Sequence, residues 1–187
     1  NINKTIDNKA ITIADAKRGD IGNSSKFYAE AIFDYLNFDS VTVSPYMGID
    51  SIEPFAKYNK GVFILCLTSN PGSQDFQKIN DQSGIAMYQH TIKMAVKINN
   101  HNNIGLVVGA TNADYLKKIK SFSLDLPWLM PGVGFQGGNL KESINVGDNN
   151  GLAIINVSRG ILTYGNGEIS DIRKATEMYT TEIRSFL

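Results

Sequence analysis

Six short apolar runs, each bounded by Gly, Pro, Asn or Ser, recur along the chain at 10–15 (AITIAD), 40–45 (SVTVSP), 61–67 (GVFILCL), 104–110 (IGLVVGA), 127–131 (PWLMP) and 152–157 (LAIINV). They are mostly continuous rather than alternating, the pattern of parallel strands covered on both faces. Segments of helical periodicity lie between them. Phe27, Ile32, Tyr35 and Leu36 mark one, Ile85, Tyr88, Ile92 and Val96 a second, and Tyr115, Leu116 and Ile119 a third behind an Asn112 N-cap. Ile172, Tyr179 and Ile183 mark a last one. Strand and helix in strict alternation predict right-handed βαβ units and a parallel sheet. Two closures fit: an open doubly wound sheet or a (β/α)8 barrel.

The placement of chemically capable residues favours the barrel. Five of the six units carry a polar or glycine-rich cluster directly after the strand: Asp15-Ala-Lys17-Arg-Gly-Asp20, Thr68-Ser69-Asn70-Pro71-Gly72, Gly109-Ala-Thr111-Asn112, Pro131 to Gly138, and Asn156-Val-Ser158-Arg159-Gly160. A barrel gathers all such loops on one face, whereas an open sheet concentrates them at a switch point. The expected architecture is therefore α/β, a (β/α)8 TIM barrel forming a single domain over 1–187. A complete barrel has eight units in about 250 residues. Six units imply that this is the C-terminal portion, with two N-terminal βα units of about 60–80 residues outside it. The opening on Asn1 rather than Met agrees.

Composition narrows the partners. The 187 residues are 42% hydrophobic and 19% charged, which excludes disordered, collagen-like and coiled-coil chains. Eighteen Lys+Arg balance eighteen Asp+Glu, so no net field draws the chain to nucleic acid or to a membrane surface. No run approaches the roughly 18–20 apolar residues of a membrane span. The single cysteine, Cys66, sits in an apolar run as a small buried hydrophobe, which predicts a reducing compartment, the cytoplasm.

The run Asp15-Ala16-Lys17-Arg18-Gly19-Asp20 is the most informative stretch. Strand alternation places Asp15 and Lys17 on one face, and Asp20, beyond the turn at Gly19, can sit near Lys17 or reach a neighbouring subunit. An ammonium flanked by carboxylates is held protonated, which suits a proton donor rather than a Schiff-base nucleophile. Negative charge beside an anionic substrate group favours its removal, so decarboxylation with protonation of the carbanion fits. The plain alternative is a solvated salt-bridge cluster.

Two further loops suit phosphate. Pro131-Gly-Val-Gly-Phe-Gln136-Gly-Gly138 has four glycines that let backbone N–H groups approach an anion, and Gln136 adds an amide. The next strand ends at Ser158-Arg159, whose guanidinium can bind phosphate in bidentate fashion. Loops after strands seven and eight of such barrels are the recurring phosphate site. A flexible turn and an ordinary ion pair are the alternatives. Ser69 and Asn70 suit a polar ring edge, or a turn before Pro71-Gly72. His90 and His101 lie away from strand ends, and no grouping has metal-ligand spacing.

These motifs together, with Ser44-Pro45-Tyr46-Met47-Gly48, resemble the orotidine 5′-monophosphate decarboxylases, most closely their longer-chain second type, over essentially the whole chain. The resemblance implies cofactor-free, metal-free decarboxylation of orotidine 5′-monophosphate to UMP, the last step of pyrimidine nucleotide synthesis, in a homodimer with shared active sites. It implies that Lys17 protonates C6, that Asp15 faces the substrate carboxylate, and that Asp20 completes the array across the dimer interface with Ile21 and Ser24 lining the partner's site. Ser69 then contacts the pyrimidine, Pro131 lies beside it, Gln136 bridges ring and phosphate, and Arg159 with Ser158 binds phosphate. Ser24 stands where Thr is commoner, and Phe135 where Ala is. A further lysine and a ribose-contacting aspartate precede the Asp15 motif in the family and are not assigned within 1–14. The rival readings are a metal-dependent sugar-phosphate decarboxylase or aldolase of the same barrel type and a non-catalytic nucleotide-binding fragment.

Overall fold

The computed structural model describes residues 5–6, 9–110, 113–123, 125–133, 140–147 and 153–187. Its strands are β1 (Ile13–Arg18), β2 (Ser40–Val43), β3 (Gly61–Leu67), β4 (Ile104–Val108), β5 (Trp128–Pro131) and β6 (Ala153–Asn156). All neighbouring pairs are parallel, and the order across the sheet is that of the sequence. A doubly wound sheet would reverse its order at a switch point. This one does not.

The helices are α1 (Gly22–Glu30), which runs on into a π-helical turn at Ala31–Tyr35, then α2 (Ile49–Ala56), α3 (Met87–Ile98), α4 (Ala113–Ser123), α5 (Leu140–Gly147), the short α6 (Arg159–Leu162) and α7 (Ile169–Arg184). Along the chain α1 packs on α2, α2 on α3, α3 on α4, α4 on α5, and α5 on α7. A single helical layer over a parallel sheet of sequential order is the arrangement of a (β/α)8 TIM barrel, and the described residues supply six of its βα units.

Strand alternation divides the apolar residues between two cores. Val41, Val62, Ile64, Leu106, Trp128 and Met130 face the helices and meet Ile52, Phe55, Ile92, Leu116 and Ile119. Phe63, Val107 and Leu129, with Ile13 and Leu65, form a second cluster on the inner face. Because β2 to β5 bury both faces, their sequences read as continuous apolar runs, whereas the edge strands β1 and β6 stay partly exposed. Each such side chain contributes about 1.5–3 kcal/mol by leaving water. Cys66 lies in the outer core, its thiol donating to the Tyr88 carbonyl at 3.7 Å, and burial pushes that thiol well above its ordinary pKa.

Two expectations shift. β1 starts three residues late, because Thr12 is tied to Asp39 by side-chain bonds: Thr12 N–H and Oγ1–H donate to Asp39 Oδ2 at 2.9 and 2.8 Å. Ile32 is buried as its helical spacing predicts, whereas Phe27, Tyr35 and Leu36 are exposed. The π turn, closed by Leu36 N–H to the Ala31 carbonyl, adds a residue to the repeat and swings Tyr35 and Leu36 off the packed face. No helix among the described residues is long and apolar enough to cross a membrane.

Gly105 of β4 faces the inner core, where an added Cβ would come within 2.7 Å of both the Phe63 ring and the Pro127 carbonyl oxygen. A backbone carbonyl cannot step aside as a flexible side chain can. Gly105→Ala is expected to cost about 1–3 kcal/mol by overpacking, at roughly 2–4 °C of Tm per kcal/mol for a chain of this size. Thermal and urea melts check this, and an unchanged midpoint would mean that the β4–β5 edge yields freely.

Candidate active site

β1 carries a bulge at its functional end. Ala14 stands opposite Val41 and Arg18 opposite Val43, so Asp15, Ala16 and Lys17 together face Thr42 alone. Lys17 takes a left-handed φ of +46°, a conformation that costs a non-glycine residue roughly 1–2 kcal/mol. Fully buried Thr42 accepts the Lys17 backbone N–H at 3.0 Å and donates its own proton to Asp15 Oδ1 at 2.9 Å. Lys17 Nζ donates to the same carboxylate oxygen at 2.5 Å. The structure thus brings Asp15 and Lys17 together, through a bulge within the strand rather than by plain alternation at its end.

The Lys17 and Asp15 side chains are 49% and 56% exposed. An ion pair this wet contributes at most about 1 kcal/mol to folding. For Asp15, partial desolvation opposes ionisation, but hydrogen bonds from Lys17 and Thr42 and the nearby ammonium charge outweigh it and hold the carboxyl below the usual range. Asp20 does not join them. Its Oδ1 accepts the Ile21 N–H at 2.8 Å, and among the described residues Asp15 is the ion-pair partner of Lys17. Ile21 is the N-cap residue of α1 and 59% exposed, and Ser24 is exposed on the first turn.

The loop after β3 is clamped. Gln77 Oε1 accepts the Thr68 N–H at 2.8 Å, Gln77 Nε2 donates to Thr68 Oγ1 at 2.9 Å, and Thr68 Oγ1 donates to Asn70 Oδ1 at 2.6 Å. Ser69 is held between these tied residues. It lines a cavity of about 190 Å³ with Lys78, Gly109 and Tyr115, and an added Cβ on Gly109 would come within 2.8 Å of the Ser69 nitrogen. Asn70 also opens the one-turn 3-10 helix Pro71–Gln74, so the turn reading holds as well.

Register brings together the two loops expected from the sequence to suit phosphate, since Pro131 of β5 pairs with Asn156 of β6. Pro131, Gly132 and Val133 share a cavity of about 100 Å³ with Asn156, Ser158, Arg159 and Gly160. Gly132 needs its glycine, with φ at +94°. Gln136 lies outside the described residues, as do the remaining glycines of that loop. A larger cavity of about 430 Å³ lies between the two edge strands, where the further units of an eight-unit barrel would join, and is lined by Ile13 and Asp15 of β1, Leu129, Asn156 and Val157, and Tyr179 and Ile183 of α7. Asn156 lines both cavities, so the cavity bordered by Asp15 and the Pro131–Arg159 cradle lie side by side.

Two residues of this site have no local sequence signature. Thr42 sits inside the run SVTV, where its hydroxyl is the one feature separating it from a strand valine, and Gln77 is nine residues beyond the threonine it clamps. His90 pairs with Asp81 at 2.8 Å, a carboxylate that also accepts the Ser83 and Ile85 N–H groups, so it serves a surface turn. Among the described residues no three His, Cys, Asp or Glu side chains gather so as to hold a metal ion.

Residues 2–170 match the family model described as Orotidine 5′-phosphate decarboxylase / HUMPS family. A protein of Dehalococcoides mccartyi named orotidine 5′-phosphate decarboxylase is 55% identical over 168 residues, covering 87% of this chain and 62% of its own length. A Flavobacterium johnsoniae protein of the same name is 47% identical over 158 residues, covering 83% of this chain and 58% of its own length. The chain thus spans about three fifths of the length of the curated relatives it matches. Among solved structures, Leishmania donovani OMP decarboxylase superposes with a TM-score of 0.83 at 37% identity, covering 93% of this chain and 67% of that one. The UMP synthase of the same organism gives 0.88 at 38%, covering 96% and 40%. With a bulged Asp15–Lys17 strand end, a clamped Ser69 loop and a Pro131–Arg159 cradle on one barrel rim, the chain belongs to the orotidine 5′-phosphate decarboxylase / HUMPS family.

Proposed function

We propose that the protein containing this chain decarboxylates orotidine 5′-monophosphate to UMP, in the cytoplasm, as the last step of pyrimidine nucleotide synthesis. The observation that carries this reading is the placement of the Asp15–Lys17 pair and of the Pro131, Ser158 and Arg159 cradle at the same end of one parallel sheet. A nucleotide can lie with its phosphate in the cradle and its base over the Asp15–Lys17 pair. The C6–carboxylate bond then breaks, carbon dioxide leaves, and the electron pair left on C6 takes a proton from Lys17 Nζ to form the C6–H bond of UMP. Ionised Asp15 disfavours the substrate carboxylate and keeps the ammonium in place, while the ammonium stabilises the developing carbanion. Ser69 and Pro131 border the pyrimidine, and Gln136 spans ring and phosphate.

Asp20, Ile21 and Ser24 belong, in this reading, to the neighbouring site of a homodimer. Their position supports it: Asp20 stays apart from Lys17 of its own chain, and Ile21, Phe27, Tyr46 and Met47 expose apolar surface at or near the same rim. A closed two-fold pair would cover that surface and exchange Asp20 reciprocally.

Three measurements test the reading on the full natural polypeptide, following loss of substrate absorbance. Lys17→Ala is expected to lower kcat by about 10²–10⁴-fold or more while leaving UMP affinity nearly unchanged; near-normal turnover removes the mechanism. Arg159→Ala is expected to raise KM about tenfold or more, with no effect on a phosphate-free nucleoside, since it deletes a charge-assisted contact to phosphate alone. Mixing inactive Lys17→Ala and Asp20→Ala proteins should restore about one quarter of the wild-type sites, because half of randomly paired dimers carry one intact site. No recovery on mixing would place both residues in one chain's site.

A further inference from the structure

We propose that Thr42 is the positioning residue of the Asp15–Lys17 pair, its hydroxyl standing in for the backbone ladder that the β1 bulge interrupts; the inference deepens the decarboxylase reading and rests on it for its kinetic arm. Three residues of β1 face this single residue of β2, so the regular exchange of backbone bonds lapses across Asp15, Ala16 and Lys17. It resumes beyond them, where Ser44 N–H donates to the Arg18 carbonyl at 2.7 Å. Within the gap, the Thr42 hydroxyl bonds both the Lys17 N–H and the Asp15 carboxylate.

The direction of its bonds is forced. The Lys17 N–H can only donate, so Thr42 Oγ1 accepts it, and the single hydroxyl proton is left for Asp15 Oδ1. A hydrogen bond from that hydroxyl is stronger to an ionised carboxylate than to a neutral carboxyl, so it favours the charged form. One hydroxyl therefore fixes the left-handed Lys17 backbone and the Asp15 carboxylate at once, and through the carboxylate the ammonium. Both hydrogen-bond partners of the carboxylate fall on Oδ1, which leaves Oδ2 without a hydrogen bond among the described residues, on a side chain that lines the large cavity. Packing alone does not call for Thr here. Val41 and Val43 on either side show that the strand takes valine readily, and valine has the shape of threonine without its hydroxyl.

Around Asp15 the described titratable groups are Lys17 on its own strand and Tyr179 of α7, which lines the same cavity; β2 offers the neutral Thr42. Removing the hydroxyl takes away a donor to the charged form, so the Asp15 titration must move upward.

The test compares wild type, Thr42→Val and Thr42→Ser in the full natural polypeptide. Carboxyl ¹³C NMR should show the Asp15 midpoint rising by about half a pH unit or more in Thr42→Val and returning in Thr42→Ser. In parallel, kcat should fall about tenfold or more in Thr42→Val with KM within about threefold, and recover in Thr42→Ser. An unmoved Asp15 midpoint overturns the proposal whatever the kinetics. Should Thr42→Val not fold, amide exchange in the unaltered protein decides: a protected Lys17 N–H upholds the bond, and exchange at the rate of a free loop amide overturns it. A wild-type protein without decarboxylase activity would defeat the functional reading, and the titration and exchange results would still judge Thr42.

Discussion

Everything in this molecule follows from parallel pairing in sequence order. When each strand joins the sheet beside its predecessor and in the same direction, every right-handed crossover returns over the same face. The helices then form one layer, and the carboxyl ends of all strands come to a single rim. Residues as distant in sequence as Asp15, Ser69, Pro131 and Arg159 come to one end of the sheet because they lie in or just after the carboxyl-terminal parts of parallel strands. The double core is what makes that rim rigid, since the inner cluster of Phe63, Val107 and Leu129 fills the space directly beneath it.

Against that rigid frame the functional end of β1 is locally costly. A lysine in left-handed backbone and a half-exposed ion pair contribute little to folding, and the ladder is broken to make room for them. The compensation comes from the neighbouring strand, through one buried hydroxyl, and from the ordered cores on either side. Charge is arranged in the same spirit. The carboxyl of Asp15 stays ionised because donors outweigh its desolvation, so a negative charge is fixed beside the ammonium before any ligand arrives.

The sequence made the βα period, the barrel preference and most core positions legible, because buried parallel strands have a compositional signature that survives without any structure. Val62, Ile64, Leu106 and Trp128 stand where the apolar runs put them. The meeting of Asp15 with Lys17 was legible as well, though for an incomplete reason: alternation alone does not contain the bulge, which arises from the register between two strands. Thr42 and Gln77 were invisible for a related cause. Each acts on a residue of another segment through a hydroxyl or an amide, and nothing local distinguishes a threonine that bridges from one that merely packs. The exposed side chains of Tyr35 and Leu36 escaped because a π turn changes the helical repeat without an obvious marker in composition. Gln136, central to the expected ligand cradle, lies outside the described residues.

The burial of Cys66 carries a practical consequence. The lone thiol of the chain is enclosed beneath α3, hydrogen-bonded to a carbonyl, and disinclined to ionise, and it is the thiolate that alkylating reagents attack. The native chain is therefore chemically silent toward maleimides and similar labels. A cysteine introduced at the exposed rim of this chain, for example in place of Asn70 or Tyr46, would react in preference to it, which offers a direct route to fluorescent reporters at the rim without first rebuilding the core.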